Sequence, residues 1–424
     1  MKRFDRGTLL FFGVALAFIL TIQVLISLNL LGDFWVTLLR IGAVMAIVSI
    51  GLNLIYGFNG QFSLGQWGFF AIGAYTAADI TYRWANDQSA SGLVIVLLVT
   101  LFVGLSFGIS SKLVARARGL DPLSSFFLYL VLVILAAIIA VFVGRLLINP
   151  FTSFLIMLPG WLSMQIVFIL AVLLAGIVSA EVSYLFGMPV LSLGSDYFGI
   201  ATLGFTIIVK VLLDNSDTMF GLVEMKGARG MIGIPKIGSW LWIAFFLLAV
   251  IVITRNLLHS STGRAIVSVR EDELAAKAMG IDVAKQKILA FVLGSLFAGL
   301  AGGLYAHING FLHPNTFNFI KSFDPMIIVV FGGLGSISGT VIAAFGWALV
   351  LEGVLRLVLP QGFETWRFVV YPLLLLVMML LRPKGLMGGF EFPYLRQILP
   401  PLPKGLQKAR IEQPSQVEET SAGD

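Results

Sequence analysis

Long uncharged stretches run through most of this 424-residue chain, and they constrain its fold before any motif is read. A helix crosses a bilayer with about 18–20 apolar residues. Thr8–Gly32, Gln88–Ser111 and Pro122–Gly144 each supply one such length. Ile41–Ala78 and Leu146–Ala180 are long enough for two crossings, and Ile288–Ile320 runs well past one. Only 12% of residues are charged, about half the fraction usual in soluble domains, so a water-soluble enzyme is excluded. No segment alternates apolar and polar residues along a strand length, as a membrane β-barrel must. The expected fold is all-α: a polytopic bundle of about ten to twelve membrane helices, some broken by glycine or re-entrant, with the lipid bilayer as its first partner.

The chain has no Cys and three His, and no H-E-x-x-H. Disulfides and thiolate chemistry are therefore excluded, and little remains to build a metal site; no metal and no cofactor is expected. The net charge of +6 is read by position, since in a membrane chain the distribution of Lys and Arg sets orientation, and no nucleic-acid partner is implied. The first apolar run carries no small-x-small cleavage pattern and is taken as an uncleaved first helix.

Most of the Lys and Arg cluster in four places: Lys2–Arg6, Lys112–Arg118, Arg255–Lys287, and from Arg382 onward. The positive-inside rule makes these four regions, and both termini, cytoplasmic. Parity then fixes the rest: helices 8–32, 91–111, 123–147, 161–181, 197–213, 240–257, 288–306 and 367–381, with Asp214–Ser239 and His307–Asp324 external. Residues 1–34 form the first domain unit and 35–389 the main membrane domain. The Pro-rich, mixed-charge residues 390–424 read as a mobile cytoplasmic tail.

Trp35–Thr81 and Pro325–Leu359 each start and end outside, and each carries a glycine-dense break, Gly57–Gln66 and Gly332–Thr340. Each is either two full crossings or a re-entrant pair. Two such breaks in two halves of a chain fit a transporter built from structural repeats; the competing account is that small residues only let helices pack closely. The breaks are expected to face each other, or their equivalents in a partner, near a polar pathway at membrane depth.

Ser261–Lys287 is the one long charged segment. Thr262 is a candidate cap, Gly280 a candidate stop, and Arg270–Met279 a short amphipathic helix presenting Arg270, Glu271, Asp272, Glu273 and Lys277 with Leu274 on its apolar side. Taken alone it is a solvated loop, a lipid-binding helix or a docking helix for a soluble partner.

At this point the residues resemble a known family. Gly263–Ala306, GRAIVSVREDELAAKAMGIDVAKQKILAFVLGSLFAGLAGGLYA, is similar to the coupling segment and following helix of permeases of ABC importers for branched-chain amino acids, LivM-type subunits above all. GLNLIYGFNGQFSLGQWGFFAIGAY (Gly51–Tyr75), GSDYFGIATLGFTIIVKVLL (Gly194–Leu213), DPMIIVVFGGLGSISGTVIAA (Asp324–Ala344) and LRPKGLMG (Leu381–Gly388) follow in the family's order. Two stretches depart from it: Ser195 interrupts the usual G-D-Y, and Thr218–Lys236 lacks the usual T-G-G and P-N-G-I.

The resemblance implies two cytoplasmic ATPase subunits, a second homologous permease in a heterodimer and an extracytoplasmic solute-binding protein. The chain holds no G-x-x-x-x-G-K-[ST], so it does not bind nucleotide in the P-loop manner itself. Residues Arg270, Glu271, Asp272, Glu273, Leu274, Lys277 and Gly280 are the expected ATPase-coupling set. Polar or glycine positions inside apolar segments are the candidate pathway: Asn53, Gly60, Gln61, Ser63, Gln66, Asp196, Tyr197, Thr202, Thr206, Gly333, Gly335 and Ser336. Glu352 and Arg356, four apart, are a candidate pair. The implied function is import of leucine, isoleucine and valine or similar amino acids. An ABC permease for urea or short amides and an ion-coupled secondary transporter remain open.

Overall fold

The computed structural model describes residues 6–116, 122–191, 195–219 and 223–354, and scattered positions between 373 and 395. Helices α1 (Arg6–Ser27), α2 (Asp33–Leu52), α3 (Gln66–Asp87), α4 (Ser91–Arg116), α5 (Pro122–Ile156), α6 (Gly160–Val190) and α7 (Ser195–Asp214) make up the first half. Then come α8 (Ser216–Met219), α9 (Trp240–His259), α10 (Ser261–Glu271), α11 (Glu273–Ala278), α12 (Val283–Asn309), α13 (Phe323–Gly332) and α14 (Ile337–Gly346). Eight helices among the described residues are long and apolar enough to cross a membrane, which bears out the all-α polytopic reading. The last expected crossing, 367–381, falls largely outside the described residues, as does the tail beyond residue 395.

Helix α12 is the axis of the bundle, packed between α2, α3 and α6. Lipid is as apolar as leucine, so close backbone approach and buried hydrogen bonds, rather than hydrophobic burial alone, hold membrane helices together. Gly73 of α3 lies so near Gly299 of α12 that a Cβ on Gly73 would sit 2.2 Å from the Gly299 carbonyl oxygen. Four residues on, Gly303 faces Ala77, and four further the Thr81 hydroxyl meets the buried His307 ring at 2.8 Å, while Ser179 of α6 donates to the Phe69 carbonyl. The two helices are therefore parallel, with matched four-residue steps along the seam. Facing this axis is a continuous buried core that includes Phe69, Phe70, Phe168, Phe291 and Phe297.

Several boundaries differ from the expectation. The helix expected at 123–147 is longer: α5 continues through Pro150 to Ile156, and the chain turns at Met157–Pro159 into α6. An uncharged run cannot reveal that turn, because every residue around it is compatible with helix in lipid. Within Ser261–Lys287 the expected single helix at Arg270–Met279 is two helices. Ser260, not Thr262, caps α10 by accepting from the Gly263 N–H. Asp272 leaves helical geometry and caps α11 by accepting from Leu274 and Ala275, a job for which Asp outranks any helix-interior role. Gly280 (φ +81°) follows the end of α11 in the left-handed region, as a stop should.

The connection after α12 folds back into the bundle. Phe311–Leu312 pairs antiparallel with Met231–Ile232 (Met231 opposite Leu312). Beyond it Phe317 is buried against Phe70 and Tyr75, and the Trp67 indole N–H donates to the Thr316 carbonyl.

Candidate functional site

Both glycine-dense breaks are real interruptions of helix, and they lie against each other. Helix α2 passes into a π-helix at Asn53–Phe58, and the chain is irregular from Asn59 to Gly65 before α3 begins. Helix α13 ends at Gly332, and Gly333–Ser336 turn the chain into α14, which passes into a second π-helix, Trp347–Val354. Asn53 bridges the two breaks. Its amide N–H₂ donates to the Ser336 carbonyl and the Thr340 hydroxyl, both at 2.9 Å, and its carbonyl oxygen accepts the Gly335 N–H at 2.9 Å. A single buried amide thus satisfies backbone groups that a broken helix would leave exposed to lipid.

Arg270, at the end of α10, covers this junction. Its guanidinium donates to the Gly57 carbonyl, and Gly60 and Gly335 both lie beneath it. Both glycines have left-handed backbones (φ +78° and +81°), a conformation that other residues adopt only at a cost. Because Arg270 belongs to the charged segment, the breaks lie at the end of the bundle that carries this segment.

The rest of the candidate set separates by face. Thr202 and Thr206, one turn apart on α7, hold the first break. Thr202 accepts the Leu64 N–H at 3.0 Å and Thr206 donates to the Leu64 carbonyl at 3.2 Å. The Ser63 hydroxyl accepts from Gly65 within the loop. Tyr197 is 66% exposed. At 100° per residue it sits about 140° around α7 from Thr202, so it faces away from the break. The Asp196 side chain lies outside the described residues. Asn59, Gln61 and Gln66 are buried, and among the described residues the two polar side-chain atoms of Asn59 and of Gln66 make no hydrogen bond. Buried amides normally find partners; here Asn59 and Gln61 line a cavity beside Arg270.

Two separate cavities of about 240 Å³ lie toward opposite ends of α2. The first, at the charged segment, is lined by Asn59, Gly60, Gln61, Arg270, Glu273 and Lys287 among others. Here Lys287 and Glu273 form an ion pair at 2.7 Å, while Leu274 and Met279 project outward, 80% and 82% exposed. The second opens beside the first half of α2 and brings together Lys321, Asp324 and Glu352. Lys321 is 3.1 Å from Asp324 and 3.8 Å from Glu352. The sequence reading missed this group. It places Lys321 in an external loop and pairs Glu352 with Arg356, which lies outside the described residues. The available signal was a Lys–x–x–Asp spacing at the start of an apolar helix.

Gly385, Leu386, Met387 and Glu391 close the second break. The N–H groups of Leu386 and Met387 donate to the carbonyls of Phe331 and Gly332, the last of α13. The Glu391 carboxylate accepts from Ile337, Ser338 and the Ser338 hydroxyl at the start of α14, where the helix dipole favours an anion. Glu391, placed in the tail by composition, is thus packed against the membrane domain. Among the described residues no cluster of His, Cys, Asp and Glu could hold a metal.

A family profile described as "Branched-chain amino acid transport system / permease component" matches residues 34–158 and 138–379. The chain is 28% identical over 373 residues to the high-affinity branched-chain amino acid transport system permease protein LivM of Salmonella typhimurium, covering 80% of this chain and 67% of the relative. It is 27% identical to LivM of Escherichia coli K12 over 80% of its own length and 67% of the relative's. To the LivH permease of the same E. coli strain it is 25% identical, over 55% of this chain and 77% of that one. No solved structure matches.

Proposed function

The chain belongs to the branched-chain amino acid transport system permease family, and from that premise we propose that it is the membrane subunit of an ATP-driven importer for leucine, isoleucine and valine. It is an integral membrane protein, with helices of crossing length and homologues that are membrane permeases. Its similarity to both LivM and LivH supports a heterodimer of two related permeases. In this reading two cytoplasmic ATPase subunits dock on Ser261–Lys287, an extracytoplasmic binding protein delivers the amino acid, and both termini are cytoplasmic.

The observation that carries the mechanism is Arg270. It lies in the segment that meets the ATPase, and its guanidinium holds Gly57 of the first break while covering Gly335 of the second. Movement of α10 and α11 on ATPase closure is therefore transmitted straight to the junction bridged by Asn53. The exposed Leu274 and Met279 supply apolar knobs for a groove in the partner, and the surrounding charges set its orientation. The buried amides of Asn59, Gln61 and Gln66 offer transient donors and acceptors to a polar solute without a deep binding well.

The test is uptake of radiolabelled leucine by cells that lack their own branched-chain transport and express this chain with its partners. ATP-dependent leucine uptake that survives collapse of the ion gradient is expected. Uptake of urea or acetamide in its place, or loss of uptake with an ionophore at constant ATP, would overturn the reading.

A further inference from the structure

The second cavity, remote from the ATPase side, has the chemistry of a zwitterion site. From Thr37, which lines it, to Asn53 at the break, α2 spans about 24 Å of helix at 1.5 Å per residue. The cavity reaches from Trp67 and Met45, nearer the break, to Phe34 at the start of α2, and so opens toward the end of the bundle away from Arg270. Its walls are largely apolar, with Leu38, Ile41, Met45 and Trp347 among them. Set into those walls are one ammonium, Lys321, and two carboxylates, Asp324 and Glu352, with side chains between 8% and 27% exposed. Charged groups in a membrane bundle are expensive and mark solute routes. Room of about 240 Å³ equals at least eight waters at roughly 30 Å³ each, enough for one small amino acid. The indole N–H of Trp347 is buried with no acceptor in the chain.

We propose that this cavity is the outward-facing resting site of the amino acid, its carboxylate taken by Lys321, its ammonium by Asp324 and Glu352, and its branched side chain by the α2 and Trp347 wall. The site rests on the importer reading above and deepens it. Lys321 already lies between the two acids, so the entering carboxylate replaces one acid at the lysine while that acid turns to the ammonium. Every charge keeps an opposite neighbour throughout, which lets the site bind weakly and release. A neutral amide such as urea offers no such exchange.

The chain contains no cysteine, so a single Thr37→Cys substitution gives a clean reporter of the cavity in the assembled transporter. Labelling with a small methanethiosulfonate reagent is expected to slow roughly tenfold when leucine is about ten times above its Kd, since only the empty fraction reacts. Leucinamide, which lacks the carboxylate, is expected not to protect. Adding Lys321→Gln should abolish protection by leucine, and Lys321→Arg should retain part of it, so a fold defect is separated from a lost contact. Equal labelling with and without leucine, or no labelling at all, in a complex that transports leucine would overturn the site and leave the importer reading standing. A complex that does not transport leucine would overturn the importer reading, and the site with it.

Discussion

The two glycine-dense breaks look alike in sequence, yet the chain builds them differently. The first joins two full-length elements: Asp33–Phe58 on one side and the 22-residue α3 on the other. It is a turn between a helix of crossing length and apolarity and the less apolar α3, strapped from outside by Thr202 and Thr206. The second follows α13, whose 10 residues reach only about 15 Å, half of a hydrocarbon core near 30 Å. It joins this short helix to a unit of crossing length, Ile337–Val354, and is reached because the connection carrying Phe317 folds back beside α3. Its straps are Asn53, Leu386, Met387 and Glu391. A short helix ends with carbonyls that must borrow donors. At the second break Leu386 and Met387 supply them to α13 and Glu391 accepts from α14, whereas the first break is held by side chains, Thr202, Thr206 and Arg270.

This difference predicts that steric damage is worst at the second break. A Cβ on Gly339 would lie against the Gly332 carbonyl and the Met387 side chain. Gly339→Val is expected to lose the folded chain, with destabilisation of about 3 kcal/mol or more from overpacking against backbone. Monodisperse yield after detergent extraction measures it. A well-folded Gly339→Val variant would show that the α13–α14 hairpin can open.

Next in size is the bridge itself. Asn53→Ala strands the Gly335 N–H and leaves the Ser336 carbonyl only its Thr340 donors, a loss of about 2–3 kcal/mol. Thr202→Val, nearly isosteric, strands only the Leu64 N–H and should cost about 1–2 kcal/mol. Thermal melts of the two variants in one detergent test the order. If Thr202→Val is the worse, the first break is the tighter one.

A smaller stability effect with a larger transport effect is expected at Arg270. Arg270→Ala frees Gly57 while leaving the Asn53 bridge in place. The melting temperature should move little, while ATP hydrolysis persists and leucine uptake falls at least about tenfold, the scale of a 1.4 kcal/mol coupling. Uptake in step with hydrolysis would show that the arginine is only a cover.

How much of this was legible beforehand depends on the range of each contact. The helices were, because lipid imposes a length and an uncharged composition that local sequence records. So was the charged segment, as the one hydrophilic interval inside a greasy chain. The break positions followed from glycine density, but not their partners. Asn53 meets Gly335 across 282 residues of sequence, and nothing near Asn53 announces it. Periodicity did separate Thr202 and Thr206, four apart, from Tyr197, and the candidate list overlooked that helical face. Lys321 and Glu352 were read as loop and helix neighbours because a descending loop has no local signature.

The smallest stability effect should come from the surface of the charged segment, where the comparison between the breaks can be sharpened without touching either. Glu271 is paired with Arg270 at 3.6 Å and Glu273 with Lys287 at 2.7 Å, and both acids are more than half exposed. Exposed pairs contribute about 0–1 kcal/mol, so reversing both charges to Lys should leave the purified chain's melting temperature nearly unchanged. What changes is the face offered to a partner: two acids become two bases beside Leu274 and Lys277, and an interface oriented by charge loses its register. Loss of ATPase co-purification, or of leucine uptake with the ATPase still bound, is the expected result. Intact assembly together with intact uptake would remove the docking role from Ser261–Lys287. The link from Arg270 to Gly57 would then serve only to seal the first break.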